Sequence, residues 1–222
     1  MSSGFVEGFC EECLRFRGDY LLVAKSDFGS NGKAVICVCG LTGCGKSSVA
    51  RRLADRCGLR YFSGGDALKA LAAEAGYKPF EKGWWESEEG LKFLRRRMED
   101  SGFDRRVDEK LLELANSGNV VLDSWTMPWL FDGGFKVWFE ASPMMRAKRV
   151  AKRDRVSVEE AFRVLREKDD LTRRIYNGLY GFVLGEDFSP FHLILDTDLL
   201  DVNEVFCAVC LVVDRWFFGE RR

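Results

Sequence analysis

The sequence predicts an α/β fold, a five-stranded parallel sheet covered by helices on both faces, and two observations carry that prediction. From Ala34 onward, short apolar runs alternate with stretches of helical spacing, the order expected when parallel strands are joined by helical crossovers. The first run, Ala34-Val35-Ile36-Cys37-Val38-Cys39, leads straight into Gly40-Leu41-Thr42-Gly43-Cys44-Gly45-Lys46-Ser47, a complete G-x-x-x-x-G-K-S loop. In such a loop the glycines let consecutive backbone N–H groups curl around a polyphosphate. The lysine reaches the terminal phosphates, and the serine hydroxyl ligates Mg²⁺. Helical spacing from Ser48 to Arg56 then aims a helix N-terminus at the same phosphates. Residues 40–48, Ser48 included, are therefore expected to hold a nucleoside triphosphate.

Taken in order, residues 1–33 read as an appendage of unassigned role. They carry Cys10-x-x-Cys13, one strand-like stretch at 19–24 and a turn-rich linker at 26–32. The domain proper is expected over 34–218, with strands at 34–39, 59–62, 119–123, 135–140 and 191–196. Helices are expected at 66–75, 88–100 and 104–116; the last puts Val107, Leu111 and Leu114 on one face before a Ser117-Gly118 stop. The stretch 77–87, with Pro79, Gly83, Trp84 and Trp85, interrupts this pattern. Pro143 opens a helix that runs through Arg153, and Val158, Ala161, Phe162 and Leu165 give the apolar stripe of another. The apolar run 202–217 is expected to close the domain as a buried helix.

Composition bounds the function class. The chain has 222 residues, 46% of them apolar, enough for a sizeable core. Its 34 basic and 35 acidic residues nearly cancel, so no overall field points to nucleic acid, and basic character is local, at 95–97, 146–155 and 173–174. No apolar run approaches the roughly 20 residues of a membrane span. A cytoplasmic, monomeric protein without membrane or nucleic-acid partners is the expectation. Cys10/Cys13 and Cys207/Cys210 each have the spacing of half a zinc site. The apolar surroundings of the second pair favour packing over metal ligation.

Three further elements carry chemistry. Asn119-Val120-Val121-Leu122-Asp123 is an apolar strand ending in a carboxylate, which in a phosphate-loop fold sets Asp123 beside the Mg²⁺. Ser63-Gly64-Gly65-Asp66 follows the second strand at the same sheet edge, where a hydroxyl and an acid are available to an acceptor's sugar or base; Asp66 is also a candidate helix N-cap. The basic stretch Arg146–Arg155, with Arg173 and Arg174 beyond the next helix, suits a lid whose guanidinium groups stabilise a transferring phosphoryl.

Loop, acceptor motif, Asp-ended strand and basic lid occur here in the order seen in the nucleoside monophosphate kinases, and the chain most resembles the cytidylate kinases of archaeal type. Residues 34–75, 103–125 and 135–162 carry the likeness, with S-G-G-D and R-A-K-R-V-A-K-R-D as its narrowest segments. The resemblance implies a helical acceptor-binding region, a mobile lid and reversible phosphoryl transfer from ATP–Mg²⁺ to CMP or dCMP. In those terms Lys46, Asp123, Arg149, Arg153, Arg173 and Arg174 form the catalytic set, and Ser47 and Asp123 hold the metal. Ser63, Asp66, Lys69 and Arg105 receive the acceptor. Where the family has a Gly-Arg pair after the third strand this chain has Ser124-Trp125, where its acceptor helix carries Arg this chain has Lys69, and Ile175 stands where the lid often has another Arg. A different small-molecule acceptor, or a non-catalytic nucleotide-binding module descended from such a kinase, stays open on the sequence.

Overall fold

The computed structural model describes residues 33–79 and 83–218. The appendage up to residue 32, with Cys10 and Cys13, lies outside the described residues. Five strands, β1 (Val35–Gly40), β2 (Arg60–Ser63), β3 (Val120–Asp123), β4 (Phe135–Glu140) and β5 (Leu193–Asp196), form one sheet in the order β2-β3-β1-β4-β5, with every pairing parallel. β1 is central and all six of its residues are buried, as a strand covered on both faces requires. The helices are α1 (Lys46–Cys57), α2 (Gly64–Glu74), α3 (Glu88–Glu99), α4 (Gly102–Ser117), α5 (Met127–Leu130), α6 (Pro143–Asp154), α7 (Val158–Tyr180) and α8 (Val202–Phe218).

Strand alternation sorts β1 between two cores. Ile36 and Val38 face α1 and α8 with Leu53, Val209 and Val213, whereas Val35 and Cys37 face the other layer with Val107, Leu111 and Met127. A third cluster gathers Trp138, Leu94, Ile175 and Phe182, where Trp129 stacks on Phe182 at 4.0 Å and 4°. α6 and α7 form a hairpin sealed by Ala147, Val150, Ala151, Ala161 and Leu165. Its turn is made by Arg155 at φ 61, whose N–H closes on the Ala151 carbonyl. Among the described residues no helix is long and apolar enough to cross a membrane.

Three expectations change. The helix N-cap is Ser63, whose hydroxyl accepts from the Asp66 N–H at 3.1 Å, so α2 starts two residues early and Asp66 lies in its first turn. The serine wins because its oxygen reaches forward to the first-turn N–H that Asp66 itself supplies. α8 is buried along one face only; Leu211 is 54% and Trp216 47% exposed, so its all-round apolar composition is not matched by all-round burial. The short α5 was not foreseen, being one turn with Pro128 at its start.

Candidate active site

The carboxyl ends of β1, β2 and β3 converge, as they do in open parallel sheets, on one cavity of about 320 Å³. The phosphate loop forms its first wall. Gly40, Gly43 and Gly45 adopt φ of 144, 88 and 93. At Gly43 a Cβ would lie 2.9 Å from the Arg146 carbonyl oxygen, and at Gly40 2.5 Å from that of Phe139. Gly40 and Gly43 are thus demanded both by torsion and by close packing, Gly45 by torsion alone. Leu41, Thr42 and Cys44 are buried, while Gly45, Ser47 and Ser48, at the helix N-terminus, are exposed. Burial raises the Cys44 thiol pKa, so this loop cysteine stays a thiol.

Lys46 and Ser47 line the cavity together with Asp123. Burial would lower the Lys46 pKa, but its neighbours, Asp123 first among them and Glu86 included, together outweigh it and the net direction is upward, which keeps the ammonium charged. Asp123 is 4% exposed and accepts from the Tyr61 hydroxyl at 3.1 Å. Across from the loop stand Ser63, Asp66 and Lys69. Asp66 is paired with Arg51 at 3.1 Å, both well exposed.

The remaining sequence-derived residues are dispersed. Arg153 lines the cavity and bonds Glu86 at 2.7 Å. Arg149 is bound to Thr197, through the hydroxyl at 3.0 Å and through the carbonyl. Arg173 donates to the Leu184 carbonyl at 3.0 Å. Arg105 and Arg174 are exposed, and none of Arg105, Arg149, Arg173 and Arg174 is part of the cavity lining. Arg146 pairs with Asp169 at 2.6 Å, both buried, and donates to the Thr42 carbonyl at 3.2 Å, bracing the loop from behind.

Several lining groups are given no role in the site by the sequence. Lys168 on α7 is buried, 4% exposed at its side chain, with its Nζ 2.5 Å from Glu86, 5.5 Å above the Trp85 ring and 5.9 Å above the Trp125 ring. Burial lowers its pKa and Glu86 opposes that. The apolar stripe of α7 marks its core face, but Lys168 and Asp169 are buried within it, and a lysine on a long helix reads from the sequence as surface. Trp125 donates its indole N–H to the Gly40 carbonyl at 2.7 Å and presents a ring face to Lys46 at 5.5 Å. It is a buttress of the phosphate loop as well as a cavity wall. At the far end Asp104 takes a bidentate bond from the buried Arg97, at 3.0 and 2.5 Å. Asp108 accepts from the hydroxyls of Thr126 at 2.5 Å and Tyr180 at 2.7 Å, and its burial pushes its pKa up to about 6.

Residues 35–199, which contain the loop, Asp123 and both helices of the hairpin, match the model of the cytidylate kinase-like family. The chain belongs to the cytidylate kinase-like family. It is 33% identical over 184 residues to the cytidylate kinase of Pyrococcus horikoshii, covering 82% of this chain and 90% of that protein. To the cytidylate kinase of Methanocaldococcus jannaschii it is 29% identical over 186 residues, 82% and 98% of the two chains. This family member is therefore an enzyme of the nucleoside monophosphate kinase type. Its fold is similar to the shikimate kinase of Acinetobacter baumannii, with a TM-score of 0.52, 18% identity, and 85% and 96% coverage. The likeness is one of phosphate-loop architecture.

Proposed function

We propose that this kinase transfers the γ-phosphoryl group of ATP to a nucleoside monophosphate, with CMP or dCMP as the first acceptor to try. The observation that carries the reading is that the phosphate loop and the Ser63–Lys69 wall line one cavity, so that donor and acceptor share one compartment. Loop amides and Lys46 hold the β- and γ-oxygens of the donor. Lys69 and Arg153 draw in the acceptor phosphate, and Lys168 adds a charge between the two. The Ser47 hydroxyl and the Asp123 carboxylate are hard oxygen donors in the same cavity, a set that suits Mg²⁺. When bound, the ion supplies charge neutralisation at the β- and γ-oxygens. An acceptor phosphate oxygen forms the new bond to the γ-phosphorus as the bond to the β-bridging oxygen breaks and ADP departs. That oxygen is already ionised at neutral pH, so no side chain has to take a proton; positioning and charge are the residues' contribution.

Incubating the protein with ATP and Mg²⁺ against a panel of nucleoside monophosphates tests this. The expected outcome is ADP and a nucleoside diphosphate, CMP ranking first. Lys46→Ala is expected to lower turnover by about 10²–10³-fold, as loss of one preorganised charge-stabilising donor does, without a change in melting temperature. ATP binding with no transfer to any acceptor would return the molecule to the nucleotide-binding module.

A further inference from the structure

The turn Trp84–Glu86 brings an acid to a stretch of cavity wall where cations gather. It is entered through Gly83 at φ 78 and fixed at both ends. Trp84 is 3% exposed, packs on Phe93 at 5.8 Å and donates from its indole to Glu89 at 2.6 Å. Ser87 caps α3 and donates to the Trp84 carbonyl at 2.7 Å. Gly83 lies so close to the hairpin that a Cβ there would meet the Asp154 carboxyl carbon at 2.9 Å. A turn held this way has little freedom, and its carboxylate spans two cations from different helices, Lys168 on α7 at 2.5 Å and Arg153 on α6 at 2.7 Å. Lys168 faces Glu86 from the turn, Lys46 from the phosphate loop and Arg153 from α6, with the rings of Trp85 and Trp125 on either side. Glu86 is the acid among those neighbours.

We infer that Glu86 is a positioning residue for phosphoryl transfer, holding Lys168 and Arg153 together as one phosphate clamp that faces the same indole as Lys46. The inference rests on the kinase reading above and adds to it the segment that the phosphate motifs leave unused. Its physical basis is the cost of a buried ammonium. Burial and two neighbouring cations favour the neutral amine of Lys168, and the Glu86 carboxylate opposes them. Burial alone would raise the Glu86 pKa, but Lys168 and Arg153 outweigh it and hold it low, so the carboxylate is charged throughout the neutral range. Without that charge Lys168 sheds its proton as pH rises, and the clamp is left with Arg153.

The test compares the wild type with Glu86→Gln and Glu86→Asp in two assays over the same pH range: transfer from ATP to CMP, and binding of a β,γ-imido ATP analogue followed by indole fluorescence. Glu86→Gln is expected within about threefold of wild type near pH 6 and at least tenfold below it near pH 9, the signature of a buried lysine losing its counter-ion. Glu86→Asp is expected to keep the wild-type profile. Adding Lys168→Met to Glu86→Gln should flatten the profile, because the titrating group is then gone. An unchanged Glu86→Gln protein, or an equal and pH-independent loss in both single variants, overturns the inference. So does tighter analogue binding by Glu86→Gln at every pH, which would make Glu86 a competitor of phosphate. If the wild type binds the analogue but leaves CMP untouched, the acceptor assignment falls, and the binding profiles still decide the role of Glu86. A wild-type protein that binds no analogue overturns both.

Discussion

The phosphate loop and the arginine-rich α6–α7 hairpin border the same cavity, yet they hold their charges by opposite means. In the loop, eight contiguous residues present Lys46 and a row of backbone N–H groups, and the chain's own torsions, three glycines at positive φ, set the shape. In the hairpin four of the arginines are tied to other groups: Arg146 to Asp169 and Thr42, Arg149 to Thr197, Arg153 to Glu86 and its neighbour Asp154, Arg173 to Leu184. The positive charge of those four is consumed in cross-links. Density of charge along a sequence is therefore a poor measure of charge offered to a ligand, whereas a loop whose geometry is local delivers what its sequence promises.

The sharpest way to break the comparison is to treat a hairpin arginine as if it were free. Arg146→Met strands the buried Asp169 carboxylate and is expected to destabilise the fold by about 3–5 kcal/mol, the cost of removing one partner of a buried pair. Chemical denaturation measures it. The double variant Arg146→Met/Asp169→Leu should recover most of that loss, since no charge is then left buried. A loss below ~1 kcal/mol for the single variant would put Arg146 among the solvated cations.

A second expectation concerns the far end of the cavity. The Asp108 pKa is raised to about 6 by burial, above its ordinary value near 3.9. A raised carboxylate pKa means that the folded state binds the proton more tightly than the unfolded one. The associated stability is complete below about pH 4 and is lost as pH rises through about 6, a change of roughly 2–3 kcal/mol. Asp108→Asn should remove that slope, so unfolding free energies of the two proteins across this range should converge or diverge by the same amount. Parallel profiles would mean that Thr126 and Tyr180 satisfy the ionised form fully.

The smallest effect is expected at Arg174, exposed and outside the cavity lining. Arg174→Ala should change stability by less than about 0.5 kcal/mol and leave kcat/KM near wild type. Arg153→Ala should lower kcat/KM by about tenfold, equivalent to one charge-assisted contact. Equal losses at the two positions would restore the hairpin as a uniform cationic lid.

Five strands and seven of the eight helices were legible because their signals are local: apolar runs between glycine-rich turns, and stripes repeating at three and four residues. The loop, Asp123 and the Ser63 motif were legible for the same reason, each being a short pattern at the end of a strand. Arg149 and Arg173 are placed in the catalytic set from the sequence, which does not show the oxygen each is bound to, on Thr197 and Leu184. Lys168 and Glu86 went unseen for a related reason: they are separated by 82 residues, and neither means anything until the turn and α7 meet. Trp125 illustrates the intermediate case. Its position after β3 marked it as unusual, but its partner, the Gly40 carbonyl, is supplied by the sheet's register.

That register has a kinetic side. β1, which launches the phosphate loop, has no neighbour close in sequence; it pairs Val35 with Val120 on one side and Ile36 with Phe135 on the other. Closing about 85 residues of chain costs on the order of 4 kcal/mol of loop entropy before a single ladder bond forms. Folding of such a non-local sheet is correspondingly slow. The strand that launches the most compact motif in the sequence thus gains its ladder only after its two flanking strands arrive, and a ligand that binds the assembled domain alone should slow its opening rather than speed its formation.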